Sequence, residues 1–182
     1  MIEIILVRHG EADYSEAHEK GYVFFNNLAP LTTAGVEQAH EVSKNKLLAN
    51  AGIIISSPYT RALQTAAIIS RHLDLDLRVD MGFHERLPDM QNMLRTKEEL
   101  DESYEEYDLH KGIHVAGKNH HFESVEQQIN RVKRSLDKYI NYKKIIIVSH
   151  GELIRRFALV RLPFCGIAEV KYGKDFEFLA WS

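Results

Sequence analysis

A single cysteine, Cys165, in 182 residues leaves no partner for an intrachain disulfide, and such usage fits a reducing compartment such as the cytoplasm. Only 4 prolines and 10 glycines argue against a collagen-like or linker-rich chain. No apolar run approaches the ~18 residues that span a bilayer. Met1-Ile2-Glu3-Ile4 has neither the basic stretch nor the small-residue cleavage site of a secretory signal, so no membrane association is expected. An excess of one charge is also missing. The 23 Lys and Arg against 26 Asp and Glu give a net charge of -3, which offers no field for nucleic acid. What is present is core material. At 45% hydrophobic and 27% charged, the length suits one domain over residues 1–182. The unusual number is 10 histidines, a residue that titrates near neutrality, ligates metals and acts as base or nucleophile.

Three β-branched runs, Ile2 to Val7, Ile53 to Ser56 and Ile145 to Ser149, are apolar at nearly every position, as in strands buried on both faces. Helical patterns separate them. Thr33 can cap a helix through Val36, Ala39, Val42 and Leu47. Pro58 can stand in the first turn of a helix that buries Ala62, Ala66 and Ile69. Val125, Ile129, Val132, Leu136 and Ile140 form one apolar stripe, with Lys133, Arg134 and Lys138 facing water. Alternating strands and helices predict an α/β layered sheet. It is mixed if Glu169 to Tyr172 and Phe176 to Ala180 pair as a hairpin about Gly173-Lys174-Asp175. Residues 83–122 read as a lid or insertion over one end of the sheet. Their acidic run from Glu98 to Asp108 reads as a solvated helical face.

Chemistry gathers at the strand ends. Arg8-His9-Gly10 follows the first strand and Ser149-His150-Gly151 the third. Ligands bind beyond the carboxyl ends of strands in open α/β sheets, so His9 and His150 meet if these strands are neighbours. Glycine after each would let the backbone approach a ligand. Ser56-Ser57-Pro58-Tyr59-Thr60-Arg61 follows the second strand and opens a helix, which puts Arg61 near a positive dipole end. Arg8 and Arg61 each offer a planar fork of donors to phosphate oxygens. No phosphate-cradling glycine motif is present. A histidine nitrogen could then attack phosphorus and form a phosphohistidine that water hydrolyses.

Ile4-Ile5-Leu6-Val7-Arg8-His9-Gly10-Glu11 closely resembles the signature of the histidine phosphatase superfamily, whose founding members are phosphoglycerate mutases. Pro30-Leu31-Thr32 with Gly35 and Gln38-Ala39, Ser56-Ser57-Pro58 through Arg61-Ala62 and Gln64-Thr65-Ala66, and Ser149-His150-Gly151 resemble its later blocks, in order. The resemblance implies a three-layer α/β/α fold and a metal-independent enzyme with no cofactor, acting on a phosphorylated small molecule. It implies His9 as nucleophile, with Arg8, Arg61 and His150 holding the phosphoryl group and the Gly151 N–H adding a donor. Glu85, in Phe83-His84-Glu85-Arg86-Leu87, matches the family's proton donor. Phe122-Glu123-Ser124 partly matches a Gly-Glu-Ser block.

Departures shape the expectation. Where many members read Arg-His-Gly-Glu-Thr-x-Trp-Asn, this chain has Ala12, Tyr14 and Ser15; Ser15 stands where an asparagine often holds phosphate. The short chain and the lack of a clear basic lid favour a phosphatase over a mutase. Alternatives are a phosphohistidine or phosphoprotein phosphatase, a mutase-type phosphotransferase, and a non-catalytic phosphate-ligand sensor. Tyr14, Tyr22, Phe24 and Phe25 divide between pocket lining and core. His110, His114, His120 and His121 could suggest zinc, but lack cysteine ligands and the metalloprotease motif, so a solvated or substrate-facing loop is expected. Cys165 reads as a buried small residue, with no base beside it.

Overall fold

The computed structural model describes residues 1–19, 23–173 and 179–181, with side chains left undescribed at 23–25 and 179–181. The strands are β1 (Ile2–Arg8), β2 (Ile54–Ser56), β3 (Leu77–Val79), β4 (Lys144–Ser149), β5 (Ile167–Tyr172) and β6 (Leu179–Trp181). They form one sheet in the order β3-β2-β4-β1-β5-β6. The first four pair in parallel, and β5 and β6 add antiparallel at one edge, so the sheet is mixed. The helices are α1 (Ser15–Glu19), α2 (Thr33–Ser43), α3 (Thr60–Leu73), α4 (Lys97–Leu109), α5 (Val125–Leu136) and α6 (Gly151–Ala158).

Alternation along the strands builds three layers. Ile4, Leu6, Ile145 and Ile147 pack on one face with Val132 and Leu136 of α5 and Leu153 and Phe157 of α6. Ile5, Val7, Ile146 and Val148 pack on the other with Val42 of α2 and Ala62, Ala66 and Ile69 of α3. Both faces are therefore buried, which explains the unbroken apolar runs. The strands expected to be neighbours are neighbours: Arg8 lies opposite Ser149, and Ser56 opposite Val148. Three strand ends thus open on one edge.

Several boundaries differ from expectation. Thr32, not Thr33, caps α2, its side chain accepting from the Gly35 N–H. That helix stops at Ser43, and Leu47 falls in a separate 3₁₀ turn (Lys46–Leu48) whose N–H is taken by the Asn45 side chain. The long apolar stripe ends at Leu136, because the chain tightens into a 3₁₀ turn (Asp137–Tyr139). Tyr139 is buried there, and Ile140 is left exposed. Lys138 reaches Asp80 at 2.9 Å instead of facing only water. Strand β3 was unexpected because Leu77-Arg78-Val79 is a short edge strand with Val79 exposed. The hairpin pairing exists between β5 and β6, while residues 174–178 lie outside the described residues. The acids from Glu98 to Asp108 are exposed along α4 except for half-buried Glu106.

Candidate active site

The first loop beyond β1 is held by backbone and side-chain clamps from three directions. The Arg8 N–H donates to Gly166 O at 3.1 Å, and the Cys165 N–H to Arg8 O at 3.0 Å. The Gly10 N–H donates to Thr65 Oγ1 at 3.1 Å, and the Glu11 N–H to Gln38 Oε1 at 2.9 Å. Thr32 donates its hydroxyl to Glu11 Oε1 at 2.9 Å, and Gln64 Oε1 accepts from the Leu31 N–H at 2.7 Å. Thr32, Gln38, Gln64 and Thr65 therefore serve geometry rather than chemistry. Gly10 differs from expectation. A Cβ there would lie 2.5 Å from Gly35 O, and one on Gly35 would lie 2.1 Å from Glu11 O. These glycines let two backbones touch, which is what fixes the His9 loop; no ligand approach is needed to explain Gly10.

His9 is buried at 4% exposure and lines a cavity of about 880 Å³. Its Nδ1 lies 2.7 Å from Gly10 O, a contact that only Nδ1–H can satisfy. Nε2 is then the bare nitrogen, and it accepts from Arg61 Nε at 3.2 Å. Burial, with lesser contributions from Arg61 and Arg8, holds the His9 pKa down to about 3 against the pull of Gly10 O. The ring is neutral at physiological pH, as a nucleophile requires.

Arg61, in the first turn of α3, is also buried, donates to Asn26 O at 2.9 Å and lies beside the rings of Tyr14 and Tyr59. Arg8 donates to Leu162 O at 2.8 Å and lies 4.3 Å from the centroid of Phe164. Its buried Nε has no partner among the described residues. Gly151 leaves room for this guanidinium, since a Cβ there would meet Arg8 Nε at 3.2 Å.

His150, the N-cap residue of α6, lies below the cavity surface and is fully buried. Its ring centroid is 5.1 Å from that of His9 and 5.0 Å from that of Tyr59. Burial first, then the charge of Arg61, lowers its pKa well below the usual histidine range. Its Nε2 meets Ser57 Oγ at 2.7 Å.

Glu85 also faces the cavity, but it already has partners. Oε1 accepts from the Arg86 and Leu153 N–H groups at 2.9 and 3.0 Å, and Oε2 from the Glu152 N–H at 3.1 Å. It is thus a cap supplied to α6 from another segment, occupying part of a helix N-terminus that was expected to serve an anion. Burial raises its pKa, against three N–H donors that lower it. No hydrogen bond joins it to His9 among the described residues. The loop bearing it is pinned by Arg131, which donates to Gly82 O at 2.7 Å and pairs with buried Glu123 at 2.6 Å. Asp80 adds a second anchor, accepting from Ser135, Lys138 and Tyr139. Glu123 of the Phe122-Glu123-Ser124 block is therefore a brace for this loop, and Ser124 caps α5.

The structure brings Arg8, His9, Arg61, Glu85 and Gly151 to one cavity, with His150 beneath it. Ser15 is not among the lining residues. It is exposed at the start of α1, its N–H bonded to Asp13 at 2.9 Å. Tyr14 lines the cavity; Tyr22 and the side chains of Phe24 and Phe25 lie outside the described residues. Reading the sequence missed Arg86, Arg155 and Arg161 on the cavity wall. Arg155 had a signal, lying four residues after Gly151 on one helix face; Arg161 had none. Arg86 sits 3.9 Å from the centroid of the Tyr107 ring. None of the four clustered histidines lines the cavity; His114 is exposed, His110 and His121 are half-buried, and His120 is buried and braces its own loop. The Val115 N–H donates to His120 Nε2 at 2.7 Å, and His120 Nδ1 faces Glu106 at 3.0 Å. Among the described residues no group of three or more His, Cys, Asp or Glu could hold a metal ion, and no helix is long and apolar enough to cross a membrane. Cys165, expected to be buried, is half-buried, and desolvation raises its pKa to about 11.

Comparison with known proteins agrees with this geometry. The model of the histidine phosphatase superfamily (branch 1) matches residues 4–163. "Probable phosphoglycerate mutase GpmB" of Proteus mirabilis is 29% identical over 157 residues, covering 83% of this chain and 70% of that protein. The "Uncharacterized phosphatase PhoE" of Bacillus subtilis is 31% identical over 163 residues, covering 85% and 74%. A phosphoserine phosphatase mutant from Entamoeba histolytica, solved in complex with phosphoserine, superposes with a TM-score of 0.68 at 25% identity, covering 100% of this chain and 96% of that one. A neutral buried histidine beside two arginines at the shared edge of parallel strands, in a chain matched over most of its length, places this protein in the histidine phosphatase superfamily as an enzyme of its phosphatase and mutase kind.

Proposed function

We propose that the chain hydrolyses phosphomonoesters through a covalent phosphohistidine on His9, without a metal. The observation that carries the reading is His9 itself: Nδ1 tied to Gly10 O, Nε2 bare and neutral, and two arginines beside it. In the first step the Nε2 lone pair forms a bond to phosphorus as the ester P–O bond breaks. Arg61 Nε–H, now on Nε2, turns to a phosphoryl oxygen, and Arg8, His150 and the Gly151 N–H share the developing charge. Glu85, whose carboxyl burial keeps protonated to higher pH, gives its proton to the leaving oxygen. In the second step water attacks phosphorus, its proton passes to the Glu85 carboxylate, and the N–P bond breaks. Orthophosphate leaves and His9 is restored.

Phosphoryl transfer within one substrate is a second reading, favoured by Arg86, Arg155 and Arg161 on the cavity wall, which could hold another anionic group. The test is turnover of a chromogenic phosphomonoester by the wild-type protein and by His9→Ala, with and without a chelator. The expected result is turnover insensitive to chelator and abolished in the variant. Persistent turnover in His9→Ala would refute the reading. Phosphate binding without turnover would make the protein a sensor. Isomerised substrate in place of orthophosphate would favour the transferase.

A further inference from the structure

We propose that Ser57 is a positioning residue: its hydroxyl fixes which nitrogen of His150 carries the proton, so that the ring offers one N–H donor, at Nδ1, to the phosphoryl group on His9. The inference rests on the phosphomonoesterase reading above. Ser57 is fully buried, and its Oγ lies 2.7 Å from His150 Nε2. That oxygen also accepts the Tyr59 N–H at 3.3 Å. A serine hydroxyl has one proton to give. With Tyr59 donating to one lone pair of that oxygen, donation to Nε2 is the arrangement in which the Ser57 proton also finds an acceptor. A neutral imidazole that accepts at Nε2 must carry its proton at Nδ1.

The opposite tautomer fails twice. It would leave the Ser57 proton buried without an acceptor, which costs stability. It would also turn the Nδ1 lone pair toward whatever fills the space beside that atom, and an oxyanion there would be repelled. Nδ1 is the unusual atom of the site. It is buried with no partner among the described residues, whereas Nδ1 of His9 and of His84 each meet a backbone oxygen, at 2.7 and 2.6 Å. A spare buried donor costs free energy in the empty enzyme, and its ring stands 5.1 Å from that of the nucleophile. A phosphoryl oxygen on His9 supplies the missing acceptor. The surrounding charges keep the ring neutral: Arg61 and Arg131 both disfavour an imidazolium at His150. Ser57 therefore chooses between two neutral forms and leaves the charge of the ring unchanged.

The test combines ring ¹⁵N NMR of histidine-labelled protein with kinetics on wild type, Ser57→Ala and Ser57→Thr. In wild type, His150 should show the Nδ1–H tautomer, and inorganic phosphate should shift its Nδ1 resonance. In Ser57→Ala the Nδ1–H population should fall. kcat should drop by roughly 10²-fold, as when one oxyanion donor is removed, with KM changed much less. Ser57→Thr, which keeps the hydroxyl, should recover the tautomer and part of the rate. An Nε2–H tautomer in wild type, or a Ser57→Ala enzyme with unchanged tautomer and near-normal kcat, would overturn the proposal. If wild type turns over no phosphomonoester, the functional reading fails, and the tautomer and the phosphate-induced shift still decide the role of Ser57.

Discussion

Replacing Glu85 by glutamine separates a proton donor from a helix cap. As a cap, Glu85 satisfies three backbone N–H groups, of Arg86, Glu152 and Leu153. Truncation to alanine strips all three of their acceptor, and each buried donor left unpaired costs about 1–3 kcal/mol. Water entering from the cavity offsets part of this, so a total on the order of 3 kcal/mol is expected for Glu85→Ala. Glutamine keeps one carbonyl oxygen and should cost about 1 kcal/mol, a shift of roughly 2–4 °C in Tm for a chain of this size. As an acid, Glu85 matters in proportion to how badly the leaving group needs a proton. Glu85→Gln should lower kcat on an alkyl phosphate by about 10²–10⁴-fold, and on a nitrophenyl phosphate by no more than about tenfold. The pH profile gives an independent sign. Burial raises the Glu85 pKa, so the acid form persists above the ordinary carboxyl range and is lost as pH rises further. The alkyl-phosphate rate should show that alkaline limb, and Glu85→Gln should remove it. Thermal unfolding together with the two substrates decides the matter. Equal loss on both, with no change in pH profile, would refute proton donation and leave only the cap.

The remaining predictions concern the His9 loop and its charge. Gly35→Ala forces a Cβ to 2.1 Å from Glu11 O, where backbone has to move; a loss of at least about 3 kcal/mol is expected by chemical denaturation, and wild-type stability would contradict the packing account. Because its folded pKa is lowered to about 3, the His9 ring signal in NMR should not titrate between pH 5 and 8. The linked stability is complete above the unfolded value near 6.5 and is lost as pH falls from there toward 3. A midpoint near 6.5 for His9 would show the ring to be solvated. Arg61→Lys loses both the Nε–H to His9 and the guanidinium beside the rings of Tyr14 and Tyr59, so kcat/KM should fall roughly 10²-fold; a kinetically normal lysine variant would mean that Arg61 acts as charge alone.

The layered sheet and the meeting of four side chains were legible because their signals are local. The apolar runs of β1 and β4 are buried on both faces; Arg8, His9 and His150 sit where a strand stops, and Arg61 opens the helix that follows β2. Parallel pairing then brings distant segments to one edge, with Arg8 opposite Ser149. What escaped depends on tertiary packing. The need for Gly10 arises from Gly35, 25 positions away in sequence. The acceptor role of Glu85 arises from α6, whose own N-cap residue, His150, supplies no side-chain cap. Residues such as Gln38, Gln64 and Thr65 look like site residues because they accompany the motif, yet they hold backbone. The brace of Arg131 and Glu123 was invisible, since Arg131 is a buried charge among the packed residues of α5 and lies outside its apolar periodicity. Arg161 lies on an irregular segment after α6, where spacing predicts nothing.

The most direct measurement of the central claim is to quench the wild-type enzyme during turnover of a radiolabelled phosphomonoester and map the trapped label by mass spectrometry and ³¹P–¹⁵N NMR. An acid-labile phosphoryl group on Nε2 of His9, absent from His9→Ala, is the expected result, because Gly10 O engages Nδ1. Label on any other residue, or full turnover with none on His9, would contradict the account.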